Sequence, residues 1–439
     1  MGSKLGFPVS LGAAMVLSLS LDTLAMNDEK NTAQEQPAGS PQIETDQGKQ
    51  PPAKSDATTT LASYSPYTPY GRQYALMREE LARYQVLSQG DDWQPLPAGQ
   101  ALAPGMRDER VRVLRSLLMQ YGDLALVDDM AKASLQGAPA NGGDKIPASK
   151  NPADLYDQQV RKAVERFQRR HGLRADGIVN THTRNALNTP PAKRLTTLQA
   201  NLARWQQMPK DLGPRYLLVN IPEYTLRLVD GEKEQYRMRV VVGKTDAQTP
   251  QLSTRLTRVV FNPTWTVPRN IAVRELLPKG SGNLSAGGYR LVNNRGKSVP
   301  FSGANLRALR LGSVALQQRG GAGNALGRFK FVIPNQQAIF LHDTQKKNLF
   351  GRSQRAFSHG CVRLEKPDEL ARIVLAQQGR PGKWDHDRLA RYTTGSRTRS
   401  VALDQPIPVH IVYWTAWVDE EGELNFRPDI YQRDQQAAE

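Results

Sequence analysis

Apolar residues recur at helical spacing at Tyr74, Met77, Leu81 and Tyr84, and again at Leu195, Leu198, Leu202, Trp205 and Met208. Steps of three and four put such residues on one face, so both stretches predict amphipathic helices with a packed stripe. They are read as two parts of one helical scaffold, over 71–106 and 189–213. Between them, Val111, Leu114, Leu117 and Leu118 predict a short helix ending before Tyr121-Gly122-Asp123. A Gly/Ala/Pro/Asn-rich stretch over 133–151 reads as an inserted loop. Val160, Val164 and Phe167 mark a second helix that stops at His171-Gly172-Leu173. After an Asp176-Gly177 turn, a third helix spans 181–187, with Asn180 or Thr181 as its N-cap.

After Pro214 the period changes to two. Tyr224, Leu226 and Leu228 alternate with Thr225 and Arg227. Beyond an Asp230-Gly231 turn, Tyr236, Met238, Val240 and Val242 alternate with Arg237, Arg239 and Val241, which predicts a β-hairpin. Further strands are expected at 257–267, 329–333, 338–342, 409–418 and 424–431, the last two around a turn at 419–422. One helix stands out at 368–378, where Pro367 suits the first turn and Asp368 and Glu369 face the positive helix end. The stretch 278–326 interrupts this pattern. It is rich in Gly, Asn and Ser and ends Arg319-Gly320-Gly321-Ala322-Gly323-Asn324, which reads as a long functional loop. The fold class expected is multidomain α+β, helical first and mainly β after.

The N-terminus bears on compartment. Lys4 precedes an apolar stretch at 5–21, and Thr23-Leu24-Ala25 offers the small residues of a cleavage site, so 1–25 reads as a signal peptide. An uncleaved anchor is the alternative, because 5–21 is about as long as the shortest spanning helices. Residues 26–70 hold six prolines, ten Ser/Thr and only Ile43 and Leu61 as branched aliphatics, too little to bury a core. They read as a flexible linker.

The 439 residues carry a formal net charge of +17, and the part from Gly71 onward carries +20. That suggests nucleic acid, but export redirects it to anionic envelope material, so no nucleic-acid partner is expected. Hydrophobic content of 39% excludes a wholly disordered chain. Cys361 is the sole cysteine, which excludes a disulfide framework and a Cys-rich zinc site.

Candidate chemistry lies in "IFLHDTQKKNLFGRSQRAFSHGCVRLEKPDELARIVL". A thiol acts as its thiolate and needs a base such as an imidazole, which His342 or His359 offers. The second ring nitrogen needs a carboxylate or a carbonyl. Gly360 lets backbone approach a substrate closely, and the amides of Gly360 and Cys361 suit an oxyanion hole. Five cations between Thr344 and Arg363 (Lys346, Lys347, Arg352, Arg355, Arg363), with no acid among them, are expected to favour thiolate and attract carboxylates. On these residues alone Cys361 is either a buried small hydrophobe or a nucleophile.

Two resemblances add to this. "AVERFQRRHGLRADGIVNTHTRNAL" resembles the three-helix peptidoglycan-binding module, over 107–188 with the insertion at 133–151. His342, fifteen intervening residues and then Ser358-His359-Gly360-Cys361-Val362-Arg363 resemble the signature of L,D-transpeptidases with a YkuD-type catalytic domain, over 214–432. Residues 433–439 are left as a tail. The architecture is similar to the large Gram-negative members. This resemblance implies Cys361 as nucleophile, His342 as general base and the Asp343 carbonyl as its orienter. It implies that Ser358, His359, Gly360 and Arg363 shape the loop and oxyanion hole, that 278–326 is an inserted capping subdomain acting as a lid, and that Trp265 and Phe340 bind substrate. No cofactor and no metal are implied.

The activity implied is formation of 3→3 cross-links between stem peptides, donor and acceptor, in the periplasm. Other cell-wall enzymes would be partners, and the membrane would be met only through an uncleaved N-terminal segment. The same thioester also serves carboxypeptidase, D-amino-acid exchange or lipoprotein-anchoring activity, and a non-catalytic wall-binding scaffold is the reading from another class.

Overall fold

The computed structural model describes residues 67–68, 71–125, 151–376 and 384–435. The expected signal at 1–25, almost all of the linker at 26–70, nearly all of the insertion at 133–151, the end of the helix at 368–378 and the last residues of the tail lie outside the described residues.

Among the described residues, five α-helices build the first half: α1 (Arg72–Gln89), α2 (Arg110–Gln120), α3 (Gln158–Arg170), α4 (Thr181–Leu187) and α5 (Pro191–Gln206). Three of these starts have a local cause. The Asp157 carboxylate accepts from the Val160 N–H at 2.9 Å, Asn180 accepts from Thr183 N–H at 3.1 Å, and Pro191 opens α5. Asn180 is therefore the cap of α4. Met77 and Tyr84 of α1, Val111, Leu114 and Leu117 of α2, Val164 and Phe167 of α3, and Leu198 of α5 meet in one buried core.

The second half runs β1 (Arg215–Asn220), β2 (Thr225–Asp230), β3 (Lys233–Gly243), β4 (Leu252–Phe261), β5 (Trp265–Thr266), α6 (Ser281–Ala286), β6 (Tyr289–Asn293), β7 (Ser298–Val299), α7 (Gly303–Leu311), β8 (Val314–Gln318), β9 (Phe329–Val332), β10 (Leu341–His342), β11 (Ala356–Ser358), β12 (Val362–Leu364), α8 (Pro367–Ala376), α9 (His386–Thr393), β13 (Arg399–Val412), β14 (Ala416–Val418) and β15 (Leu424–Phe426). The main sheet has the order β11-β3-β12-β10-β9-β4-β13-β1-β2, and β2 also pairs with β3, so it closes on itself. The expected hairpin is β2–β3, with Leu226 opposite Met238. Inside lie Leu217, Leu226, Val240, Val259, Phe331, Leu341 and Val362, with Leu370 and Val374 of α8 packed in.

Three expectations need correction. The chain over 278–326 is the subdomain the resemblance implied and not the loop its composition suggested: with β5 it has four strands, order β5-β8-β6-β7, over a core of Leu284, Leu291, Leu309 and Leu316 joined by Leu276. Its abundant Gly, Asn and Ser fill the turns between short elements and mask those leucines. The strand at 257–267 divides into β4 and β5. Thirdly, 416–426 leaves the main sheet. Asn220 exchanges hydrogen bonds with both backbone groups of Trp414 (2.9 and 3.1 Å), and Asn201 grips the N–H and hydroxyl of Thr415 (3.0 and 2.7 Å). The chain is thereby steered out to form the β14–β15 hairpin, whose Ala416, Val418, Leu424 and Phe426 complete the helical core. Alternating apolar residues announce a strand but not its partner.

Candidate active site

Strands β10 and β12 run parallel, with His342 opposite Arg363, and β9 runs antiparallel to β10, with Lys330 opposite His342. Phe331, Leu341, Val362 and Leu364 point into the core. Alternation therefore sets Lys330, His342 and Arg363 in a row on the other face. Phe340 and Cys361 each sit one residue before their strand and extend the row, with the Val362 N–H donating to the Phe340 carbonyl at 3.2 Å. The Phe340 ring is 5.4 Å from that of His342 and carries the Lys330 ammonium at 4.0 Å.

The His342 imidazole is buried, and its Nδ1 lies 2.5 Å from the backbone oxygen of Asp343. A carbonyl only accepts, so Nδ1 carries the proton and Nε2 the lone pair. The carbonyl is steady because the Asp343 carboxylate is held by the Arg328 N–H (2.8 Å), the Thr344 N–H (2.7 Å) and the Lys347 ammonium (2.8 Å). Gly327 is required beside it, since a Cβ there would fall 2.2 Å from Asp343 Oδ2. Burial pushes the His342 pKa down to about 3, with Arg363 and Lys330 adding to the effect and the Asp343 and Leu326 carbonyls opposing it. At neutral pH the imidazole is an uncharged proton acceptor.

Cys361 is half-buried, and its thiol hydrogen-bonds the Ala338 carbonyl at 3.8 Å. Burial pushes the thiol up from its ordinary value, while the Phe340 N–H, Lys330 and Arg363 pull it down. The expected thiolate-favouring field from the run at 344–363 is thus corrected. Lys347 turns to Asp343, Arg355 to the carbonyls of Val240, Tyr224 and Arg352, and Arg352 to the Phe357 ring; of the five only Arg363 acts on the sulfur. The second cation there is Lys330, which the sequence reading missed. Its signal was the pattern Phe329-Lys330-Phe331, a cation opposite two core residues.

The loop before Cys361 is tightly tied. The buried Ser358 hydroxyl donates to the Cys361 carbonyl at 2.5 Å and accepts from the Gly360 N–H at 3.1 Å. Gly360 has φ +110°, which side chains rarely adopt. Its carbonyl accepts from Thr249 Oγ1 at 2.7 Å, and the Thr249 N–H donates to the Tyr431 hydroxyl at 3.2 Å. The Gly360 amide is thus committed to Ser358, and the Cys361 N–H is the loop donor left without an acceptor among the described residues. His359 turns out of the row to Glu275, Nε2 to Oε1 at 2.7 Å. Trp265 packs on the core of the small subdomain, edge-on to Tyr289 at 6.4 Å, whereas Phe340 lies in the thiol's row.

Residues 214–400 match the family model of the YkuD L,D-transpeptidase catalytic domain, and 140–187 match that of the "Putative peptidoglycan binding domain". A "Putative L,D-transpeptidase" of Haemophilus influenzae is 34% identical over 223 residues, 50% of this chain and 45% of that protein. The match thus spans under half of that relative's length. Among solved structures, an L,D-transpeptidase (residues 123–326) from Xylanimonas cellulosilytica is 13% identical, with 73% of this chain and all of that one covered at a TM-score of 0.22. An L,D-transpeptidase from Stackebrandtia nassauensis is 14% identical, with 73% and 97% covered at 0.24. The chain is thus similar over 214–400 to YkuD-type L,D-transpeptidase catalytic domains and over 140–187 to peptidoglycan-binding domains.

Proposed function

We propose that the protein is an exported L,D-transpeptidase that forms 3→3 cross-links in peptidoglycan through a thioester on Cys361. The observation that carries this is the row on β10 and β12, where Cys361 and a neutral His342 with a fixed tautomer share one face. The thiol proton passes to His342 Nε2 as Sγ bonds the carbonyl carbon preceding the terminal D-alanine of a tetrapeptide stem. The Cys361 N–H receives the developing oxyanion. The carbon–nitrogen bond breaks, and Nε2–H protonates the departing D-alanine amine. A side-chain amine of diaminopimelate on a second stem then attacks the thioester, gives its proton to His342 and releases the Cys361 thiol.

The peptidoglycan-binding domain supports the wall as substrate and the periplasm as location. The test is the mass of the product from a disaccharide-tetrapeptide of the diaminopimelate type. Two substrates minus one alanine is the result expected. One substrate shortened by an alanine residue would replace cross-linking with hydrolysis, the carboxypeptidase reading.

A further inference from the structure

Two cations in the catalytic row have no counter-ion. Lys330 and Arg363 are half-buried, and neither side chain has an ion pair or a hydrogen bond among the described residues; Lys330 rests on the Phe340 ring instead. By contrast, half-buried Arg355 holds three carbonyls and Arg328 holds Asn262 and the Thr393 carbonyl. A desolvated cation without a partner is unfavourable unless an anion arrives. Both stand beside His342 in the strand register, and both act on the charge of Cys361.

Resting on the acyl-transfer reading above, we infer that Lys330 and Arg363 form the seat for the α-carboxylate of the donor's terminal residue. That carboxylate lies three bonds beyond the carbonyl attacked by Cys361, and adjacent strands are about 4.8 Å apart, so a carbonyl at the thiol carries its terminal carboxylate to the neighbouring row positions. The seat makes the enzyme selective for stems that end one residue after the scissile bond. An internal peptide bond brings a neutral amide to the same place and leaves both cations unpaired. Phe340 is a positioning residue in this arrangement, holding the ammonium through its ring face.

The experiment compares acylation of Cys361, by intact mass, for a tetrapeptide ending in a free carboxylate and for its C-terminal carboxamide. It uses the wild type, Lys330→Met and Lys330→Arg, and the pH dependence of iodoacetamide alkylation is followed in each. The acid is expected to be preferred about 10- to 100-fold, the scale of a charge-assisted hydrogen bond. That ratio should collapse in Lys330→Met and largely return in Lys330→Arg. An unchanged ratio in Lys330→Met overturns the seat. So does an equal loss for both donors with thiol alkylation moved to higher pH, which makes Lys330 a thiolate-stabilising group only. Should neither donor acylate the wild type, acyl transfer itself falls, and the seat is read from protection of Cys361 against iodoacetamide. Protection by the acid but not the amide then supports it, and equal protection overturns it.

Discussion

His359, two residues before the thiol in sequence, faces away from it and meets Glu275 of the small subdomain, Nε2 to Oε1 at 2.7 Å. The loop before Cys361 and the chain at 272–276, which leads into the small subdomain, are thereby joined through partly exposed side chains. An exposed pair contributes under about 1 kcal/mol, so its effect is on local opening more than on global stability. Glu275→Gln should speed hydrogen exchange over 278–326 while leaving exchange in β1 and β13 as it was. Acylation of Cys361 should change exchange in the same segment; no change in either experiment would deny it the role of a lid.

The resting pair should be thiol and neutral imidazole, not an ion pair. Iodoacetamide alkylation of Cys361 is expected to rise with pH in one step above the ordinary cysteine range, because burial pushes the thiol up. A reactivity plateau already reached at pH 6 would contradict this.

Stability carries the matching signature. The His342 pKa is about 3 in the fold against an ordinary 6.5, so as pH falls from 6.5 the unfolded chain takes the proton first. Its contribution is fully present above pH 6.5 and is lost progressively down to about 3. His342→Gln should show a smaller loss of denaturation midpoint between pH 7 and 4 than the wild type; an equal loss would contradict the burial argument.

Ser358→Ala removes the hydroxyl between the Cys361 carbonyl and the Gly360 N–H and leaves both without that partner. Stability should fall by about 1–3 kcal/mol and the acylation rate with it, read by thermal denaturation and intact mass. Full activity at an unchanged melting temperature would mean that the loop holds its shape otherwise.

Phe426 lies in the helical core, edge-on to Tyr84 at 6.0 Å, although it is 13 residues from the chain's end and follows the catalytic sheet. Phe426→Ala should cost about 3–5 kcal/mol, in the range for large core truncations. Loss below 1 kcal/mol in urea denaturation would show that the hairpin is dispensable to that core.

Local signals were legible in the sequence, and partners mostly were not. The helical stripes, the β2–β3 alternation and the cap at Asn180 each act within a few residues, where spacing fixes geometry. Cys361 and His342 stood out because one ordered motif holds both. Lys330 did not, being 31 residues from the thiol and brought near only by register. Thr249, which holds the Gly360 carbonyl, is 111 residues away. The strands and helices within 278–326 were concealed by its turn residues, and the partner of the β14–β15 hairpin by an alternation that fits any sheet.

The most direct test is the site of the acyl group. Wild-type protein mixed with a tetrapeptide donor and quenched in acid should yield one modified peptide, with the stem minus its terminal alanine on Cys361, and Cys361→Ala should yield none while melting as the wild type does. Acyl group on another residue, or turnover retained by Cys361→Ala, would contradict the account.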